Sequence, residues 1–198
     1  LFKSNGANTI QMGVVKDDMD SITKLIETAL LTSNIVVTTG GVSVGDYDFV
    51  QDVIKDKLKA EVLFHGVNLK PGMHILLALK DNKIIVALPG FAYSSTVCAM
   101  LYVLPLIYKF RNSNKKLPLV KARINQDFSR FQAKTIFTAC NVEYKNGEYQ
   151  INFDGKKSGT SAILTNMLES PALLIQKENS ENIKAGDLVD ILLLNNLK

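Results

Sequence analysis

A β-branched run, Ile35-Val36-Val37-Thr38-Thr39, passes directly into Gly40, Gly41, Ser43 and Gly45. Val50, Val53, Ile54 and Leu58 follow at helical spacing. Few folds accommodate this succession. It predicts a buried strand, a glycine-rich turn and a helix. Such a unit offers backbone N–H groups and the positive end of a helix to an anion. Two carboxylates, Asp46 and Asp48, stand at the same helix start. Carboxylates beside a phosphate nest repel the ligand unless a divalent cation or a proton mediates. Two readings stay open on spacing alone: a phosphate-plus-metal site, or a loop whose aspartates cap the helix.

The flanking pattern sets the architecture. Residues 10–15 predict a strand, and Asp17-Asp18 open a helix with Ile22, Leu25, Ile26, Ala29 and Leu30 on one face. A short strand at 61–64 and a loop at 67–72 follow. Strands at 75–79 and 83–87 flank Asp81-Asn82, a hairpin signal. Leu88-Pro89-Gly90 ends the second of them, and Ser94 or Ser95 is the expected cap of a helix carrying Val97, Leu101, Leu104 and Tyr108. Alternating strands and helices predict an α/β domain over 1–112, a three-layer, mostly parallel sheet covered on both faces. Both glycine loops, 40–45 and 88–92, should leave strand carboxyl ends and face one crevice.

The character changes at the polar linker Arg111-Asn112-Ser113-Asn114-Lys115-Lys116. Short strands follow at 119–124, 134–142, 148–153, 172–176 and 189–194, with turns at 145–147 and 185–187. A helical turn or two is expected around Ala162, Ile163 and Met167. This predicts a small, all-β, barrel-like domain over 116–198.

Composition excludes several classes. A formal charge of +4, spread through the chain, does not make the basic, aromatic-interleaved face of a nucleic-acid binder. Cys98 and Cys140 sit in apolar runs and read as core residues in a reducing compartment, and His65 and His74 as isolated structural histidines. The apolar run Val97–Ile107 is short for a bilayer and contains Pro105. With no signal-peptide pattern at the start, the expectation is a soluble, cytoplasmic protein without a membrane or nucleic-acid partner. Leu1-Phe2-Lys3-Ser4-Asn5-Gly6 reads as the last turn of a helix with its glycine stop, so the chain reads as a fragment beginning inside an element.

Several segments in order resemble the carboxyl-terminal half of the molybdopterin molybdotransferases, the family that includes the E domain of gephyrin. They are Gly13-Val14-Val15-Lys16-Asp17-Asp18, the loop Gly40-Gly41-Val42-Ser43-Val44-Gly45-Asp46-Tyr47-Asp48, Leu69-Lys70-Pro71-Gly72, Leu88-Pro89-Gly90 with Ser94, and the tail Ala185-Gly186-Asp187-Leu188-Val189. The resemblance implies a molybdopterin-binding-like α/β domain followed by the family's β domain. It implies binding of adenylylated molybdopterin, insertion of molybdate with release of AMP, a requirement for Mg²⁺, and a homodimer. Carried over by position, it implies catalytic roles for Asp17, Asp48 and Lys70. Gly40, Gly41, Ser43, Gly45, Pro89, Gly90 and Ser94 would bind substrate. Asp48 and Asp46 would hold the metal. Ser158 or Thr160 lies near a small polar motif of the last domain.

The chain also departs from the family. Phe91 and Ala92 stand where the family has Asn-Pro, Met73 where a further lysine is usual, and Gly66 where a basic residue is usual. These changes lower the positive potential or reshape one crevice. Each lost charge-assisted hydrogen bond costs roughly 1.5–3 kcal/mol. Two functional readings therefore follow: an active molybdotransferase, or a degenerate paralogue that binds molybdopterin or nucleotide without turnover.

Overall fold

The computed structural model describes residues 1–42, 48–128, 133–156 and 171–194. In chain order the elements are α1 (Met19–Thr32), β1 (Ile35–Thr39), α2 (Phe49–Asp52), β2 (Glu61–His65), β3 (Leu69–Lys70), β4 (Leu76–Lys80) and β5 (Lys83–Leu88). They continue as α3 (Ala92–Cys98), α4 (Leu104–Phe110), β6 (Leu119–Ile124), β7 (Thr135–Lys145), β8 (Glu148–Asn152), β9 (Pro171–Gln176) and β10 (Leu188–Leu193). They belong to two compact units that do not follow chain order. One holds residues 9–67 and 72–103, the other 1–8, 68–71 and 104–198. Where the sequence changes character at 111–116, the units instead share out shorter pieces, so that 104–110 falls with the β-rich residues.

The first unit is α/β. Its four strands run in the order β1-β5-β4-β2, with β1 and β5 parallel and the other neighbours antiparallel. The sheet is thus mixed among the described residues, not mostly parallel. The cause is local: Asp81 and Asn82 adopt φ of 50° and 62°, the two-residue turn that returns β5 antiparallel to β4. Asp18 caps α1 by accepting the Ser21 N–H at 2.8 Å, which holds its carboxyl below the usual carboxylate range. The helix buries Ile22, Ile26, Ala29 and Leu30 on the expected face. They pack with Val36, Val53, Ile54, Leu76 and Ile85 into one core. The strand expected at 10–15 is not formed. Ile10 and Val14 are 58% and 102% exposed, because alternation makes a strand only where a neighbouring strand completes the ladder.

The helix starting at Ala92 carries Val97, Leu101, Leu104 and Tyr108 as expected, but its cap differs. Phe91 is its N-cap and makes no capping hydrogen bond, while Ser94 is buried and Ser95 lies inside the first turn with its hydroxyl donating to the Ala92 carbonyl. A π turn, Ala99–Val103, then carries the helix through Pro105, so it extends over Ala92–Phe110. The i→i+5 spacing relieves the ladder where proline supplies no N–H. Nineteen residues reach the length of a membrane span, but 56% of the apolar window is buried inside the protein, which suits a core helix.

The second unit closes on itself. Strands run β7-β8-β6-β10-β9 and β9 pairs back to β7, a five-stranded barrel with β3 added in parallel outside β7. Every expected strand of this region is present among the described residues. Period-two alternation sends Ala122, Ile124, Cys140, Ile151, Leu174 and Ile191 into the interior. Closure removes the exposed edges that so many short strands would otherwise leave. Asn146 and Gly147, at φ 52° and 84°, make the tight β7–β8 turn. The expected helical turn around residues 162–167 lies outside the described residues.

Candidate functional site

The candidate loops lie at the carboxyl ends of β1 and β5, the parallel pair of the first unit's sheet. The β1–β5 register ends at Thr39 opposite Leu88, so the loops beginning at Gly40 and Pro89 leave adjacent strands at the same end of the sheet. They lie side by side, as the sequence predicts. The Gly40 N–H donates to the Leu88 carbonyl at 3.0 Å, and the Val50 N–H donates to the Gly41 carbonyl at 3.2 Å. The first bond ties the glycine loop to the end of β5, and the second ties it to α2.

Two glycines here are dictated by shape. Gly40 and Gly41 adopt φ of +87° and +70°, which L side chains rarely do. A Cβ on Gly41 would lie 2.6 Å from Val50 Cγ2, whereas one on Gly40 would meet nothing within 4 Å. On the second loop, a Cβ on Gly90 would stand 3.5 Å from Gly40 Cα, an ordinary contact. Backbone of one loop therefore faces backbone of the other with little side-chain volume between them.

Asp48 is the N-cap residue of α2, and its side chain makes no capping hydrogen bond to that helix. The cap reading of Asp48 is therefore not realised. Asp17 is exposed, and the capping that could have occupied it falls to its neighbour Asp18. Lys70 is exposed on β3, which pairs with β7 in the second unit, and precedes Pro71 through a cis peptide bond. The glycine loops belong to the first unit. Pro89 is buried and Gly90 exposed, while Ser94 is buried within α3. Ser43, Gly45 and Asp46, together with Ser158 and Thr160, lie outside the described residues.

The departures have structural counterparts. Gly66 adopts φ +86° and its N–H donates to the Ile75 carbonyl at 2.9 Å, so a basic side chain there would sit on a strained backbone. Met73 is 36% exposed and its carbonyl accepts from the Val67 N–H at 2.9 Å. Phe91 is 62% exposed beside Gly90, a large apolar ring on the rim of the second loop. Sequence reasoning missed one polar group. Among the described residues the Thr38 hydroxyl oxygen, two residues before Gly40, is buried without a hydrogen-bond partner. Its only signal was a threonine in a strand, and β propensity already accounted for that.

No group of three metal-ligating side chains comes together among the described residues. Mg²⁺ is commonly held by one or two carboxylates plus phosphate oxygens supplied by the ligand. Asp48 provides one such carboxylate at the helix start. The buried thiol Cys98, whose Sγ faces the Gly72 carbonyl at 3.4 Å, is pushed up to about 12 by burial and offers no thiolate at neutral pH.

Comparison with known proteins supplies context. The family described as "Probable molybdopterin binding domain" matches residues 1–109. The molybdopterin molybdenumtransferase of Staphylococcus aureus (strain Mu50) is 31% identical over 180 residues, covering 90% of this chain and 42% of that protein. The enzyme of the same name from Staphylococcus epidermidis (strain RP62A) is 31% identical over 189 residues, covering 93% and 44%. A molybdopterin biosynthesis moea protein from Pyrococcus horikosii superposes with a TM-score of 0.74 at 25% identity, over 96% of this chain and 45% of that one. A molybdenum cofactor biosynthesis protein from Pyrococcus furiosus shares the fold, with a TM-score of 0.68. The chain spans less than half the length of the curated relatives it matches.

Proposed function

The chain belongs to the molybdopterin-binding domain family and has the fold of the molybdopterin molybdotransferases, and from that premise we propose that it serves molybdenum insertion into adenylylated molybdopterin, with release of AMP. The observation that carries this reading is the pair of glycine loops meeting at the ends of β1 and β5. Backbone there, uncovered by side chains, can approach a phosphoryl group closely. Gly40, Gly41 and Ser43 cradle the phosphate, with Gly45, Pro89, Gly90 and Ser94 shaping the rest of the crevice. Asp48, with Asp46 as the second carboxylate, holds Mg²⁺, which when bound neutralises charge on the phosphoryl oxygens. Asp17 orients the pterin or a metal-bound water, and Lys70 offers a point charge to an oxyanion. Molybdate enters as substrate, and the acting form is a homodimer.

A second reading is favoured by one observation, the exposed Phe91 ring on the second loop, which replaces an amide donor with an apolar surface. In it the protein binds the pterin nucleotide without turning it over. Molybdate-dependent AMP release, measured for this chain and for a form extended to the length of its relatives, separates the two. Release supports the transferase, whereas binding without release supports the paralogue. Failure of both forms to bind adenylylated molybdopterin refutes both.

A further inference from the structure

The second unit carries a cationic cleft that the proposed chemistry does not use. It has a volume of about 320 Å³ and is lined by Pro105, Tyr108, Lys109, Ser113, Lys115 and Lys116, with Leu117 at its edge. Within the eight residues from Lys109 to Lys116 stand Lys109, Arg111, Lys115 and Lys116, and no acidic residue. Among the described residues none of the four has a carboxylate within 4 Å, whereas Lys57, Lys121, Arg123 and Lys184 are all paired. Cations at a helix carboxyl end complement the helix dipole, which accounts for Lys109 and Arg111. It does not account for Lys115 and Lys116, which lie beyond the helix.

The arrangement is held in place from below. Asn5 is 4% exposed, and its Oδ1 accepts both the Tyr108 hydroxyl at 2.7 Å and Lys115 Nζ at 2.9 Å. Its backbone carbonyl accepts Arg111 Nη1 at 3.3 Å, and its Nδ2 donates to the Leu1 carbonyl at 2.9 Å. Lys115 Nζ also lies 5.3 Å from the centre of the Tyr108 ring. A buried neutral amide thus positions two cations without cancelling their charge. The partners are the side-chain and main-chain oxygens of Asn5 and the Tyr108 ring face, so the positive potential stays available to a ligand. Ser113 supplies a hydroxyl to the same cleft, and Pro105 and Leu117 give it apolar walls.

We propose that this cleft binds a small phosphate-bearing anion of about diphosphate size. Its volume suits a small molecule, and its donors are ammonium groups and one hydroxyl. The phosphoryl groups could be those of a free anion or of a phosphate ester.

Calorimetric titration of the 198-residue protein with inorganic diphosphate at low ionic strength tests this. The expected result is saturable one-to-one binding that weakens as salt is raised. The double variant Lys109→Gln, Lys116→Gln should weaken it at least tenfold with the thermal midpoint retained, since both side chains are exposed. Lys24→Gln, on the exposed face of α1, should leave it unchanged. ADP binding as well as diphosphate identifies a phosphate ester as the source, and ADP excluded identifies the free anion. Absence of saturable binding, equal binding by the double variant, or tighter binding of a hexaglutamate peptide would overturn the proposal.

Discussion

Gly41→Ala is the perturbation that bears most directly on the glycine loop. At φ +70° the backbone holds alanine in the left-handed region, where its methyl group costs about 1–2 kcal/mol. Stiffening of the unfolded chain offsets about 0.4–1 kcal/mol of that. The new Cβ would also sit 2.6 Å from Cγ2 of Val50, which is 7% exposed and packed in the core, so it cannot swing away freely. Overpacking of this kind costs about 1–3 kcal/mol. The net expectation is a loss of about 2–4 kcal/mol, a fall of 1–2 M in the urea midpoint for a slope of about 2 kcal/mol/M. Two companions isolate the causes. Gly40→Ala carries the same backbone strain into open space and should lose only about 1 kcal/mol. Gly90→Ala meets an ordinary contact and should stay within about 0.5 kcal/mol. Adding Val50→Ala to Gly41→Ala should recover about 1–3 kcal/mol beyond additivity, because the clashing methyl is gone. If Gly41→Ala is no worse than Gly40→Ala, or the double variant shows no coupling, the steric argument fails.

Asp48→Asn keeps the side chain's shape and its fitness for a helix start, so thermal melting should change little. Calorimetric titration with adenylylated molybdopterin should show wild-type affinity rising with added Mg²⁺ and the variant losing that response, and an equal response in both would remove Asp48 from the site. Cys98 and Cys140 should resist a thiol reagent at pH 8 in the native state and react once the chain is unfolded, since burial pushes both thiols up to about 12. The pH dependence follows with its sign. Unfolded thiols titrate near 9.0 and folded ones near 12, so stability is full below pH 9 and declines above it, by about 1.4 kcal/mol per pH unit for each thiol. Stability flat from pH 9 to 11 in the wild type, relative to a Cys98→Ala, Cys140→Ala variant, would contradict this. The 198 residues alone should not release AMP from adenylylated molybdopterin at a useful rate, and robust turnover in a molybdate-dependent assay would overturn that expectation.

Local chemistry written in short stretches was legible in the sequence. The β-branched run 35–39, the apolar face of α1, the Asp81-Asn82 hairpin and the alternating strands of the barrel all form where their patterns point, because each depends on neighbours a few residues away. The glycine loop and the ordered motifs placed the chain in its family for the same reason. Only the tertiary structure decided what depends on distant partners. Residues 10–15 alternate like a strand, yet a ladder needs a neighbour, and Ile10 and Val14 stand exposed. Of the adjacent Asp17 and Asp18, the backbone angle of entry into α1 chose Asp18 as the cap. The helix expected to carry Leu104 and Tyr108 contains Pro105, and it is the π turn before the proline that absorbs the missing donor and lets the helix run on. Closure of the β strands rests on the β7–β9 pairing, whose partners lie thirty or more residues apart in the chain. The cationic cleft has the same origin. Its lysines were visible as a polar linker, but Asn5, about a hundred residues upstream, gives them a shape.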